Sequence, residues 1–467
     1  MHTKAFALQS HRLLSAILVI GLLTGAGVPG PFHATTAASE MERSYIVQGT
    51  TVEHVVRAVE QSGGAVTARL DLIRGVAALL SATALAQLQR DPVIQAITPD
   101  AAVVGDGDRD DDQPKPARHA KDRLPTADFP DVVGADYVWS QGVTGAGVTV
   151  AVVDSGLDRH PGLIVGLDSR RSRIVGWVDF VEHRRLPVDP NGHGSHVAGV
   201  IANSQTGADG EWNGVAPGVN LVGVRVLDEK GAGTYAGVIQ GLQWVVEHKE
   251  RLNIRVVNLS LSAAVQSAYF DDPLNQAVTA AWANGLVVVT SAGNSGPGAL
   301  TVGVPGNNPY AITVGAFTDA YTPDDWSDDY IPAWSSSGPT HDAFVKPDLL
   351  APGGHIVSTM RPDAYFSQAY PENRLARSYF TMSGTSQAAA VVSGVAALML
   401  AHNPGLSPDQ VKQRLHLTSL PQMDPDTGEA GYSVWRQGAG RVMAPEAVFA
   451  EVEGAANAGM DILADLA

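Results

Sequence analysis

Three polar residues stand where apolar runs stop, and together they have the makings of an activated nucleophile. The run Val148 to Val153 ends in Asp154-Ser155-Gly156, a carboxylate at the end of a buried strand, where open α/β sheets place their sites. In Asn191-Gly192-His193-Gly194-Ser195-His196, glycines on both sides of His193 let backbone and ligand approach the imidazole, and a helical apolar run follows. In Ser383-Gly384-Thr385-Ser386-Gln387-Ala388, small residues lead into a long apolar helix, with Ser386 at its amino end. Free N–H groups and the helix dipole there favour a developing negative charge. Each residue alone has a plainer reading: a turn-capping Asp, a helix-entrance His, a Ser N-cap. Together they form a set in which Ser is the nucleophile, His its base, and Asp the group that fixes the imidazole tautomer. A fourth element fits. The apolar run Leu286 to Val289 leads through Ser291-Ala292-Gly293 to Asn294, whose side-chain amide can donate to an oxyanion beside the Ser386 amide. His196, three residues after His193, suggests a metal pair less well, because helical zinc motifs space their histidines by four with a Glu between.

Elements must bring these positions together. Apolar runs at Val148–Val153, Leu221–Val226, Val256–Leu261, Leu286–Thr290 and Ala311–Val314 alternate with helical stretches. Runs apolar on both faces, joined by helices, predict an α/β fold with a mostly parallel sheet over residues 129–449. Residues 44–104 predict a separate small α+β unit. It has strands at Ser44–Val47, Gly75–Leu80 and Val93–Thr98, and helices at Thr51–Ser62 and Ser81–Arg90. Residues 105–128, with Asp106, Asp108, Asp110, Asp111 and Asp112, are too polar to bury a core and read as an exposed, cleavable linker. Residues 450–467 read as an acidic, frayed tail. At the other end, Lys4, His11 and Arg12 precede the apolar run Leu13 to Val28, and Ala34, Ala37 and Ala38 follow, the pattern of an export signal over residues 1–38. Gly21, Thr24 and Gly25 shorten that run for a membrane span.

The chain has no cysteine, which excludes disulfides, thiolate nucleophiles and Cys-ligated metals. Its net charge of −17 argues against a general nucleic-acid binder.

The order Asp, His, Ser is that of subtilisin rather than chymotrypsin or the α/β-hydrolases. Ala388, where those hydrolases place Gly, also excludes their nucleophile elbow. Residues 130–450 resemble the subtilisin-like serine peptidases, or subtilases. The resemblance rests on Val150–Gly156, His193–Gly199, Ser291–Asn294, Lys346-Pro347-Asp348 with Ala351-Pro352-Gly353, and Gly384-Thr385-Ser386. It implies a subtilisin-like, doubly wound sheet and a secreted serine endopeptidase acting on polypeptides through Asp154, His193 and Ser386, with Asn294 as oxyanion donor. It makes residues 44–104 an inhibitory prodomain, and Gly231-Ala232-Gly233 and Ser260-Leu261-Ser262 edge strands that pair with an extended peptide. It places Gly303 at the base of the pocket for the residue before the scissile bond. Gly303, with no carboxylate at Ser295, points to a large apolar side chain there. Ser195, Ser262 and Ala390 depart from the family's usual Thr, Gly and Pro. The chemistry needs no cofactor. A structural Ca²⁺ is expected without a located site, since Asp209 and Glu211 in the Asn203–Asn213 loop fall short of six to eight oxygens. A monomer without stable membrane association is expected. The sequon Asn258-Leu259-Ser260 lies in a buried run and is discounted. The rival reading is a binding or scaffolding protein on an inactive peptidase fold, and its usual sign, a missing triad member or oxyanion Asn, is absent.

Overall fold

Seven parallel strands make the central sheet. In chain order they are β6 (Thr149–Asp154), β7 (Ile174–Asp179), β8 (Asn220–Arg225), β10 (Ile254–Leu259), β12 (Val287–Ser291), β13 (Ile312–Phe317) and β14 (Leu349–Pro352), following five strands nearer the N-terminus and interleaved with β9 and β11 described below. Their spatial order is β14-β13-β12-β10-β6-β8-β7. The computed structural model describes residues 41–105, 124–167, 172–421, 427, 429 and 431–466, so the segment expected to be an export signal and most of the expected linker lie outside the described residues. Strands β6, β12 and β13 are buried at every position, which explains their uninterrupted apolar sequences. From β10 the chain order runs outward through β12, β13 and β14, whereas β8 and then the edge strand β7 lie on the other side of β6. The crevice at the carboxyl ends of β6 and β10 is therefore the topological switch point where open sheets bind ligands.

Two helices complete the frame. The histidine helix, His193–Ala202, is buried along its whole length, and the serine helix, Thr385–His402, is buried through Leu400. The serine helix is long and apolar enough to cross a membrane, but it is the core helix of this domain. The apolar cluster joins Val391, Val395 and Leu398 of this helix to Val256, Val288 and Ile312 of the sheet. At the sheet's edge the Lys346 Nζ donates to Ala311 O at 2.8 Å, and the Lys412 Nζ to Pro309 O at 2.6 Å. Both ammonium groups flank the buried Asp348 and hold its carboxyl well below the usual carboxylate range against the opposing effect of burial.

The N-terminal unit is an antiparallel sheet ordered β2-β3-β1-β4, from β1 (Arg43–Gly49), β2 (Ala65–Leu70), β3 (Gly75–Leu80) and β4 (Ile94–Pro99). Helices Val52–Gln61 and Ala82–Leu88 are capped by the Thr51 and Ser81 side chains and pack Val55, Val59, Ala84 and Leu88 against it. Strand β2 was not expected. Its side chains alternate between exposed and half-buried, so it lacks an apolar run. The opposite face carries Ile46, Leu70 and Ala77 into the main core, and Gln48 Nε2 donates to Gln276 Oε1 at 2.6 Å. Beyond β4, β5 (Ala102–Gly105) lies between β9 (Ala232–Thr234) and β11 (Leu261–Ser262), antiparallel to both.

The C-terminal segment corrects the expectation of a frayed tail. The Asp465 carboxylate accepts from the Tyr269 hydroxyl at 2.8 Å and the Tyr310 hydroxyl at 2.6 Å, and Arg74 Nη2 donates to Leu466 O at 2.7 Å. The two phenols are donors from elsewhere in the chain that the acidic composition alone does not reveal.

Candidate active site

Asp154 ends β6 and is fully buried. Its carboxylate accepts from Nδ1 of His193, which lies 2.8 Å from Oδ1 and 3.0 Å from Oδ2. Oδ1 also accepts the Ser155 N–H at 2.7 Å, which fixes its rotamer. A carboxylate can only accept, so Nδ1 carries a proton and Nε2 is the basic nitrogen of the neutral ring. Ser386 is the second residue of the serine helix, where backbone N–H groups point out of the helix start. Its Oγ reaches Ser260 O at 3.3 Å, and its own carbonyl accepts from Ser260 Oγ at 2.9 Å. Asn294 follows β12. Its Oδ1 accepts from Thr385 N–H at 3.0 Å and Thr385 Oγ1 at 2.9 Å. A backbone N–H cannot accept, so the oxygen end of the amide faces Thr385. The NH₂ end is the donor side of the amide, and a donor of this kind that meets an oxyanion typically contributes about 10²–10³ in rate.

The sequence-predicted edge strands flank β5. Val103 pairs with Gly233, Val104 with Ala232 and Ser262, and Gly105 with Leu261. The Gly105 N–H donates to Gly231 O at 2.9 Å. A Cβ built on Gly105 would lie 3.6 Å from His193 Nδ1, so this segment passes against the imidazole. Under this cover His193 is 1% exposed. Gly303 lies beside the same edge, where a Cβ would meet Ala263 O at 2.7 Å. The close approach of that carbonyl therefore requires glycine here, whatever fills the pocket.

A family model for the subtilase family matches residues 145–440. Serine protease AprX of Bacillus subtilis is 42% identical over 280 residues, covering 59% of this chain and 62% of its own length. Subtilisin DY of Bacillus licheniformis is 34% identical over 293 residues, covering 62% of this chain and 89% of its own. The chain belongs to the subtilase family, whose members are serine endopeptidases. Fervidolysin from Fervidobacterium pennivorans, a keratinolytic enzyme related to subtilisin, has a similar fold. Its TM-score is 0.64 at 22% identity, covering 88% of this chain and 61% of that one. The chain thus spans under two thirds of AprX and of fervidolysin.

Within this subtilase site, two supporting residues escaped the sequence reading. Asp189 accepts the N–H groups of Gly192 at 2.8 Å and Ser195 at 2.7 Å, capping the histidine helix, and receives Ser155 Oγ at 2.9 Å. Thr385 orients Asn294. An acid a few residues before a helical His block was the available signal for the first; nothing marked the second. Ser195, in place of the family's Thr, accepts the Asp158 N–H on its Oγ at 2.8 Å. Asn258 is fully buried, with its amide on Ser260 Oγ and Ser393 Oγ, and is no glycosylation site in the folded chain.

His196 is structural. Its Nε2 donates toward Ile356 O at 3.2 Å and Phe380 O at 3.1 Å, and burial pulls its pKa down to about 3. Burial pulls His160 down to about 4. Both therefore stay neutral in the fold at pH values where the unfolded chain, with an ordinary pKa near 6.5, takes up protons. The stability they confer is full above about pH 6.5 and falls with acid by roughly 1.4 kcal/mol per pH unit for each histidine. Four carboxyls oppose this, because burial pushes Asp128, Asp272 and Asp329 up to about 6 and Asp131 up to about 7, so the fold also takes up protons over this window. The histidine contribution is therefore read as a difference. In urea unfolding of the Ser386→Ala chain, which avoids self-digestion, adding His160→Gln is expected to raise the stability at pH 4.5 relative to that at pH 6.5 by about 2 kcal/mol, and an unchanged pH profile would contradict it.

Among the described residues, one group has metal-ligand spacing: Asp128, Asp319 and His355. His355 Nε2 lies 2.6 Å from Asp319 Oδ1, and Tyr321 stacks on the ring at 3.7 Å. Burial and the nearby Asp319 charge push Asp128 up to about 6. An imidazole with two carboxylates does not supply the six to eight oxygens that Ca²⁺ takes, so the expected Ca²⁺ gains no site here. Asp209 Oδ1 is used by the Glu211 N–H at 2.9 Å within its own turn.

Proposed function

We propose that the chain is the precursor of an exported serine endopeptidase, held inactive by its own N-terminal unit. The observation that carries this reading is the course of residues 102–105, an extended peptide hydrogen-bonded between β9 and β11 and led against the catalytic imidazole. Backbone pairing of this kind grips a polypeptide with little regard to sequence.

In the proposed reaction, His193 Nε2 takes the proton of Ser386 Oγ as that oxygen attacks the scissile carbonyl carbon. The oxyanion receives hydrogen bonds from Asn294 Nδ2 and the Ser386 N–H. His193 then gives its proton to the leaving amine. Water, activated by the same imidazole, hydrolyses the acyl-enzyme. Asp154 stays ionised throughout and steadies the imidazolium. No cofactor enters these steps. Residues 44–104 act as the inhibitory prodomain, and cleavage within 105–128 releases a monomeric enzyme outside the cell. The pocket bordered by Ser262, Ala263 and Gly303, with Ser295 contributing no charge, favours a large apolar residue before the scissile bond.

A fluorophosphonate probe tests the core of this reading. After removal of the prodomain, Ser386 is expected to be the labelled residue, and short substrates with Phe or Leu before the bond should be cut faster than those with Arg. No labelling at Ser386 would return the chain to a binding role on an inactive fold. Arg as the best residue would overturn the pocket assignment alone.

A further inference from the structure

The catalytic imidazole has an aromatic neighbour that the reaction does not use. Phe366 lies in a short helix, Tyr365–Ala369, with its ring 6.4 Å from the His193 ring. It stacks on Tyr370 at 6.0 Å and meets Tyr365 edge-on at 5.9 Å. Tyr365 is 45% exposed and Tyr370 40% exposed, so this is an apolar surface rather than a sealed core. Exposed aromatic rings beside the imidazole offer apolar surface to a bound chain.

Its position is rigidly set. The Tyr365 N–H donates to Pro190 O at 2.9 Å and the Phe366 N–H to Asn191 O at 3.1 Å, in the segment that delivers His193. Gly192 allows the contact, since a Cβ there would meet Ala364 Cβ at 2.9 Å. Phe366 also packs on Met360, Ala364, Phe380 and Met382. Phe380 and Met382 belong to β17 (Tyr379–Met382), which pairs with β15 (Ile356–Thr359) and β16 (Arg374–Leu375) and runs into Ser386.

The side of the scissile bond follows from these placements. A peptide arriving along β9 and β11, as β5 does, reaches the imidazole at its Gly105 position. The bond to be cut lies next, between His193 and Ser386, and the remaining peptide leaves away from β9 and β11. The aromatic surface lies in the helix that packs on the other sheet, β15-β17-β16, and Phe366 flanks the imidazole from there.

We propose that Phe366, with Tyr365 and Tyr370, receives the side chain of the substrate residue that follows the scissile bond and selects aromatic or large apolar residues at that position. This rests on the peptidase reading above and adds the substrate's leaving side to it. Aromatic rings gain from offset or edge-on packing beyond area burial alone.

The test uses enzyme matured from the full chain. Two substrate sets share one sequence up to the scissile bond. In quenched peptides the next residue is Phe, Leu, Gly or Asp. In the methyl ester no residue and no ring follows the scissile bond. Wild type is expected to prefer Phe to Gly by about tenfold in kcat/KM, a difference of ~1.4 kcal/mol. Phe366→Ala should shrink that preference to about twofold, and its loss on the methyl ester should be much smaller than its loss on the Phe peptide. Tyr370→Ala, at an exposed position, repeats the test without disturbing the packing on Met382. Three outcomes overturn the proposal: no preference in wild type, a preference that survives both substitutions, or an equal fall on peptides and methyl ester, which would make Phe366 a support for the imidazole. Wild type that cleaves the methyl ester yet ignores the following residue sinks this inference alone. Wild type inert to the methyl ester and the peptides alike sinks the peptidase reading with it.

Discussion

Replacing Ser386 with Ala is expected to lower kcat by about 10⁶, the loss typical of removing the nucleophile from a subtilisin triad, and to leave the precursor uncut. The substitution removes one hydroxyl at a fully buried position. That hydroxyl donates to Ser260 O at 3.3 Å, and Ser260 Oγ remains bonded to the backbone carbonyl of residue 386. Losing this bond should cost the fold about 1 kcal/mol, as a typical hydrogen bond does. Chemistry and folding are thus separable. The Ser386→Ala chain should give the same far-UV spectrum and a cooperative melt, should migrate at full length, and should be cut when a trace of active enzyme is added. Refolding without any other protease and finding the wild-type mature N-terminus would show that maturation is not self-catalysed. Retained activity within tenfold of wild type would remove Ser386 from the role of nucleophile.

The legibility of this site in the sequence follows from burial. Asp154 and Asn294 stand out because each follows an apolar run, and Ser386 because it opens one, where a polar residue has no packing role. The strands β6, β10 and β12 are buried on both faces and so leave continuous Val-rich signatures. Strand β2 was missed for the opposite reason, since its half-exposed side chains give no run. Thr385 acts on Asn294, and Asp189 on Ser155, through contacts distant in sequence of which pattern carries no trace, while Asp189's cap on the nearby helix start leaves only a weak local signal. The docking of the C-terminal segment likewise depends on Tyr269 and Tyr310, far away along the chain. The aromatic surface at Phe366 lies in a stretch without periodicity, and only its anchoring to Pro190 and Asn191 brings it to the imidazole.

The carboxylate of Asp154 offers the second large effect. Asp154→Asn keeps the size and the burial of the side chain but changes what its two ends do. Two donors now meet at this carboxylate: the Ser155 N–H at 2.7 Å and His193 Nδ1 at 2.8 Å. An amide has one acceptor end. If Oδ1 stays on the Ser155 N–H, the NH₂ group faces Nδ1, and the ring must turn Nδ1 into an acceptor. The proton then moves to Nε2, the atom that has to take the proton from Ser386. The base is lost although every heavy atom can remain in place. Water cannot restore the acceptor, because Asp154 is fully buried and His193 nearly so. We expect kcat to fall by about 10⁴, measured on an anilide substrate after cutting the variant in trans. Asp154→Ala tests whether the tautomer is the cause, because it frees Nδ1 from a wrong partner but leaves a cavity and an unmet Ser155 N–H. A loss of similar size in both variants, with an unchanged melt for Asp154→Asn, fits a carboxylate that acts through the imidazole. A loss below tenfold in Asp154→Asn would mean that the tautomer of His193 is set by some other group, and the assignment of Asp154 as its orienting partner would fall.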